Sequence, residues 1–402
     1  MLGTLLFRNG KTHLFSENEA KNMQQEAKTY TLFKDVKCSN CGAILLFKPN
    51  TNNLVCEYCG TDNCIDVEED EQIEEVDYEA FIHQEIELDN KQEVSLVQCD
   101  SCAAKTTLPP NITAADCAFC GTSLILETGT TNTLIKPEGI IPFKIEDKQA
   151  HELFQKWLSS LWFAPNNLKK QARKDKKLVG VYIPYWTYDA RTYSRYHGHR
   201  GRHRVEYQQQ LVTINGKRTR QNVAVTKTDW TPVSGHIQLF FDDVLILASS
   251  TLPKNYLTAI EPFDLSQLVP FKEGYLSGFR CESYQLNVKD GLGVAKKKMD
   301  IGIKRSVLQD IGGDAQRISS VYTEHFNITF KHILLPIWIS NYHYKNKVFR
   351  FVINGQTGKV QGERPYSIVK IMAFSLFIAA IIFLLVMAFS SGGSSQGIYI
   401  TY

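Results

Sequence analysis

Eight of the ten cysteines fall in four Cys-x-x-Cys pairs. Cys38/Cys41 and Cys56/Cys59 are separated by fourteen residues, and so are Cys99/Cys102 and Cys117/Cys120. The second set repeats the first at an offset of 61 (99 − 38). Two thiolates two residues apart can turn toward one ion, and two such knuckles complete a tetrahedral S4 site. The sequence therefore predicts two metal sites: Cys38, Cys41, Cys56 and Cys59, then Cys99, Cys102, Cys117 and Cys120. Gly42, Gly60 and Gly121 follow second cysteines, where positive φ is useful. Ala103 stands at the fourth such position, which makes that knuckle the least standard.

Zinc is the expected ion at both sites, and its role is structural, because a closed S4 set leaves no position for water. Iron in a rubredoxin-like electron carrier uses the same knuckles. A disulfide framework requires an oxidising compartment, and the orientation argued below opposes that. Cys64 and Cys281 have no Cys-x-x-Cys partner and read as packing residues.

A second chemistry is anion binding. Arg191, Arg195, Arg200, Arg202 and Arg204 stand within fourteen residues, with His197, His199 and His203 and no acid. Tyr193 and Tyr196 interleave with them, a pattern that suits nucleic acid or anionic lipid. Lys169, Lys170 and Arg173 begin another basic cluster. The plain alternative for both is a solvated surface. Asp66 to Glu93 carries thirteen acids and one lysine, a local charge of −12 that leaves +15 elsewhere in a chain of net +3. It reads as a solvated linker, or a charged helix around Tyr78–Leu88, that holds the two cysteine sets apart. Asn354 to Val360 looks like a phosphate-binding loop, but Ile353 stands where a glycine is needed and Val360 where Ser or Thr would hold magnesium. It reads as an Asn-Gly turn. No hydrolase or metalloprotease motif occurs, so a non-enzymatic protein is expected.

These residues need elements to position them. The 402 residues suggest two or three domains, and a mean hydropathy of −0.22 excludes a polytopic membrane protein. Ile371 to Phe389 is nonetheless nineteen residues without a charge, enough for one span. Arg350, Lys359, Arg364 and Lys370 precede it and no charge follows it from Ser390 on, which puts residues 1–370 in the cytoplasm. No signal peptide is expected, since Leu5–Phe7 is too short, and Met23 is an alternative start. Ala150, Leu153, Phe154, Trp157, Leu158, Leu161 and Trp162 form one face of an amphipathic helix. A second helix is expected over Lys289–Asp310. Strands are expected over Leu178–Ser249, with a hairpin at Asn215-Gly216, and again from Ser320 to Val352. Pro-x-Trp occurs twice, at Pro184/Trp186 and Pro336/Trp338. The expected fold is multidomain, with two small β zinc ribbons, a mixed α+β cytosolic domain and one C-terminal transmembrane helix. The boundaries are an N-terminal extension 1–34, ribbon 1 35–64, an acidic linker 65–95, ribbon 2 96–127, the α+β domain 140–365, the transmembrane helix 367–390 and a non-cytoplasmic tail 391–402.

Further phrases accompany the ribbons: Ile141-Pro-Phe-Lys, Trp162-Phe-Ala-Pro165, Val181-Tyr-Ile-Pro-Tyr-Trp186 with Tyr188-Asp-Ala190, Gly278-Phe-Arg-Cys-Glu-Ser-Tyr284, Ile333-Leu-Leu-Pro-Ile-Trp338 and Val352-Ile-Asn-Gly-Gln-Thr-Gly-Lys359. Over about residues 35–390 the chain resembles bacterial membrane-anchored, TFIIB-type double zinc-ribbon proteins, a YdjG-like group often labelled primosomal protein N′-like or superfamily II helicase. The helicase label fails on the missing nucleotide-binding loop. Ala103 and the Arg191–Arg204 segment depart from the pattern. The resemblance implies a cytoplasmic-membrane adaptor associated with SPFH (flotillin-like) proteins and a phage-shock-type envelope-stress protein. Protein recruitment at the membrane is thus the first expectation. Nucleic-acid binding by the ribbons and basic patches is the second, and electron transfer the third.

Overall fold

The computed structural model describes residues 36–66, 71–83, 91–107, 114–125, 130–165, 168, 178–214, 217–344 and 347–391. The basic cluster at Lys169, Lys170 and Arg173, the Asn215-Gly216 dipeptide, residues 1–35 and the tail from 392 lie outside them.

The first cysteine set carries strands β1 (Leu46–Phe47), β2 (Asn53–Val55) and β3 (Asp62–Cys64), paired in that order. Next come β4 (Val76–Asp77) and helix α1 (Tyr78–Ile82), capped by the Asp77 carboxylate on the Ala80 N–H. The second set lies among β5 (Lys91–Gln98), β6 (Lys105–Thr107), β7 (Ala114–Asp116) and β8 (Ser123–Ile125). Strands β9 (Thr130–Ile135) and β10 (Gly139–Ile140) lead to helix α2 (Asp147–Ser160). The body then holds β11 (Val179–Ile214), β12 (Lys217–Phe241), β13 (Ile246–Leu247), helix α3 (Lys254–Ile260), β14 (Val269–Pro270) and β15 (Arg280–Glu282). Helix α4 (Val288–Ile311), β16 (Ala315–Tyr344), β17 (Lys347–Asn354), β18 (Val360–Gly362) and helix α5 (Ile368–Ser391) complete the chain.

Strands β11 and β16 are the spine. They pair antiparallel from Val179↔Ile339 to Gly201↔Ala315. The other edge of β11 takes β15, β13 and β12 in succession. The other edge of β16 takes β4, β10 and β17. The expected separate strands after Ser320 are one strand with irregularities, where Asn327 takes φ 50°. A strand that bends at such bulges keeps pairing where a flat one would splay. The two Pro-x-Trp phrases lie on these neighbouring strands, and each indole N–H is satisfied by a carbonyl: Trp186 by Leu286 at 2.8 Å, Trp338 by Ile145 at 2.9 Å.

Alternation along these strands sorts the core. Tyr182, Leu334 and Trp338 pack on one face with Leu45, Phe47 and Leu54 of the first cysteine unit and with Phe154 of α2. Val181, Ile183, Ile337 and Ile339 pack on the other face with Val97 and Phe119 of the second unit and with Leu257 of α3. The continuous apolar phrases at Val179–Tyr188 and Ile333–Ile339 follow from this, because a strand covered on both faces has no polar side. Helix α2 starts at a capping box between Glu146 and Gln149 and buries Ala150, Phe154 and Leu158. It ends at Ser160, so Trp162, expected on its stripe, is 75% exposed.

The acidic stretch is not simply a solvated spacer. Strand β4 pairs with Thr329–Phe330, Phe81 of α1 stacks edge-on to Phe330, Glu75 ion-pairs with Lys331 at 3.0 Å and Glu71 with Lys272 at 2.8 Å. A charged segment docks here because its few apolar residues and the facing lysines give it contacts that solvent alone would not.

Candidate metal centres

Each cysteine pair turns on the same backbone knuckle. Gly42 donates its N–H to the Cys38 carbonyl at 2.9 Å, Gly60 to Cys56 at 2.8 Å, Ala103 to Cys99 at 2.7 Å and Gly121 to Cys117 at 2.9 Å. The donating residue is left-handed each time: φ 75°, 73°, 58° and 77°. Glycine accepts this freely, whereas Ala103 bears its Cβ there at a cost of about 1–2 kcal/mol. The least standard knuckle by sequence therefore keeps the common geometry.

The knuckles bring four sulfurs together twice, and in each group all ligand atoms lie within 4.8 Å of one another. Cys38 Sγ is 3.5 Å from Cys59 Sγ, and Cys41 Sγ is 3.5 Å from Cys56 Sγ. In the second unit Cys99 and Cys120 are 3.5 Å apart and Cys102 and Cys117 3.6 Å. A tetrahedron with metal–sulfur bonds near 2.3 Å has edges of about 3.8 Å. The two clusters are thus positioned to bind metal ions, and four thiols at these distances would repel as thiolates without a cation. Thr61 Oγ1 lies 3.1 Å from Cys59 Sγ, and its hydroxyl and N–H bring that thiol down to about 6. Burial pushes the Cys120 thiol up, but Thr122, at the repeated position, outweighs it and leaves the thiol at about 6. One thiol in each set is thus held toward the thiolate, which favours a first bond to a metal, while Cys41 and Cys117, shifted upward, would give up their protons to the cation itself.

The repeat is not symmetric in its surroundings. Tyr58, between the last two cysteines of the first unit, is 86% exposed, whereas its counterpart Phe119 is fully buried against the body. Cys281 is buried in the core and Cys64 is exposed on β3. A third group of possible ligands, Asp189, Asp242 and Asp243, shares its site with the Lys331 ammonium, 2.8 Å from Asp243 Oδ1, which already supplies the positive charge.

The arginine run is divided by strand alternation. Arg191 and Arg195 point to the open face of β11. Arg200 lies on the other face and donates to the Ile311 carbonyl at the end of α4. Arg202 and Arg204 share that side beyond the helix, and Arg204 is tied to Asp229 at 2.9 Å. The Asn354–Val360 phrase is a hairpin turn between β17 and β18, closed by Gly358 N–H on the Asn354 carbonyl at 2.9 Å.

Helix α5 contains Ile368–Met387, with mean hydropathy 2.7 and none of it buried. It is long and apolar enough to cross a membrane. Its base is fastened to the body: Lys370 Nζ donates to the Trp162 and Ala164 carbonyls at 3.1 and 2.8 Å, and Phe163 packs edge-on against Phe374.

This chain is similar to YdjG. It is 27% identical over 355 residues to the uncharacterized protein YdjG of Bacillus subtilis (strain 168), with 87% of this chain and 95% of YdjG covered. No family model and no solved structure matches the chain. The shared span with YdjG takes in most of the elements described above, so the likeness is not confined to the cysteine motifs.

Proposed function

We propose that the protein is a non-enzymatic, membrane-tethered adaptor whose two zinc ribbons, of the TFIIB type, are structural. Residues 1–370 lie on the cytoplasmic side, since Arg350, Lys359 and Arg364 before α5, Lys370 in its first turn and the uncharged segment after it satisfy the positive-inside rule. The resemblance adds SPFH (flotillin-like) proteins and an envelope-stress protein as partners at the cytoplasmic membrane. The observation that carries the reading is the asymmetry of the repeat. One cysteine knuckle buries Phe119 in the body, while the equivalent knuckle holds Tyr58 out in solvent on a hydrogen-bonded turn. A large aromatic fixed at low entropic cost is a natural anchor for a partner protein. The body meanwhile is attached to the base of an unburied apolar helix.

The test is crosslinking and pull-down from native membranes with the wild-type chain and Tyr58→Ala. The expected result is loss of a specific partner with unchanged metal content and unchanged membrane fractionation. An identical partner set in the variant would remove ribbon 1 as the docking surface. Removal of residues 367–390 should release the protein from membranes, and retention there would defeat the tether.

A further inference from the structure

Strands β12, β11 and β16 form a long three-stranded sheet beyond the ribbons, and one face of it is covered by α4. Tyr196 reaches Asp310 on that helix, and Thr192 and Ser194 are buried under it. The opposite face has no cover among the described residues. Its rows follow from the register. Phe240, Arg191 and Phe326 stand side by side, and two rows on come His236, Arg195 and Tyr322. Further along, His199 neighbours Arg317, and Gly201 separates Trp230 from Ala315. Six rows span about 34 Å at two residues per row, with strands about 4.8 Å apart.

The face combines ring surfaces with cations. Phe240 and Tyr322 are 62% and 61% exposed and Phe326 42%. The Arg191 guanidinium lies 6.0 Å from the Phe240 ring, Arg195 5.7 Å from Tyr322 and Arg317 4.0 Å from Trp230. Tyr193 lies 5.5 Å from the His236 ring at 33°. The one acid among these rows is Glu324, 3.7 Å from Arg195. The described part of the chain's own acidic stretch lies elsewhere, docked on β16 through Glu75 and on Lys272 through Glu71.

We infer that this open face binds single-stranded nucleic acid, with bases stacking on Trp230, Tyr322 and Phe240 and phosphates held by Arg191, Arg195 and Arg317. Unpaired bases stack on aromatic and guanidinium planes with little sequence preference, while a basic groove tracks the backbone. An open sheet face presents such planes along its rows, and here Phe240, Tyr193, Tyr322 and Trp230 stand on it in four of the six rows. The charge is modest, so stacking supplies much of the affinity. The surface is separate from the ribbons, and its failure would leave the adaptor reading untouched.

The test uses the full chain in phosphatidylcholine nanodiscs and fluorescein-labelled oligo(U) and oligo(dT), read by anisotropy. Binding is expected at low salt, with log K falling against log salt with a slope of about −2 for three arginines. Tyr322→Ala and Trp230→Ala should each weaken binding roughly 5- to 100-fold. Arg195→Ala should weaken binding and flatten the salt slope. Arg202→Ala, on the other face of the same strand, should leave both unchanged. Absence of binding at low salt would overturn the proposal. So would equal losses in Arg195→Ala and Arg202→Ala, which would indicate general electrostatics. Binding to phosphatidylglycerol vesicles but not to either oligonucleotide would assign the face to lipid instead and overturn it too.

Discussion

Loss of the first metal site should destabilise the whole body and not just one ribbon. Cys56 is fully buried and supplies one of the four sulfurs, so Cys56→Ser removes that site with little change of shape. Without its ion a small ribbon has no core of its own and unfolds. Leu45, Phe47 and Leu54 would then leave the cluster they share with Tyr275, Leu276 and Phe279. Phe47 sits edge-on to Tyr275 at 5.2 Å, and its N–H donates to the Ser277 carbonyl at 3.1 Å. Each of the three side chains contributes about 1.5–3 kcal/mol by burial, so roughly 5–9 kcal/mol is at stake, an upper figure because unfolded chains are partly compact. Domains are stable by about 5–15 kcal/mol, so the loss is on the scale of the total. The assay is urea denaturation followed by tryptophan fluorescence, with metal counted in the same samples. Trp338 reports on this region, since it packs against Phe143 and Phe279 beside the ribbon. One cooperative transition at clearly lower urea is expected, with one metal per chain in place of two. If the metal count falls and the transition moves by less than about 1 kcal/mol, ribbon 1 is an independent module and the packing argument is wrong.

Ala103→Gly should stabilise the second unit by about 0.5–1 kcal/mol, because relief of the left-handed strain exceeds the added freedom of the unfolded chain; a lower melting temperature would contradict this. Burial pushes the Glu138 carboxyl up to about 8, against an N–H bond from His332. The folded state then disfavours the carboxylate, so this group's stabilising share is present below about pH 4.5 and lost as pH rises toward 8. Between pH 6 and 8 the wild type should lose on the order of 2–3 kcal/mol that Glu138→Gln does not lose, measured by urea midpoints at each pH; parallel curves would refute the assignment.

The local chemistry was legible in the chain. Cysteine spacing, the glycines after it and the charge-free run before Ser390 each act over a few residues. The amphipathic stripe gave α2, and the second expected helix became α4, where Asn287 caps the start and Gly312 the end. The acidic charge run was visible, but its docking was not, since that depends on Lys331 and Lys272 some 200 or more residues later. The arginine run read as one patch because sequence carries no face. Strand alternation then put Arg191 and Arg195 on one side and Arg200, Arg202 and Arg204 on the other, with Arg200 on a helix end.

The sequence by itself determined two four-thiol sites, an apolar helix of membrane length and the strand and helix content, because these depend on near neighbours along the chain. The tertiary structure alone decided that the two cysteine units lie on opposite faces of one sheet, that Tyr58 is out and Phe119 in, and that Arg317 meets Trp230. The reason is that β11 and β16 pair across more than a hundred residues. Such pairing is fixed by which faces can be buried together, and identical local motifs can therefore end in different surroundings.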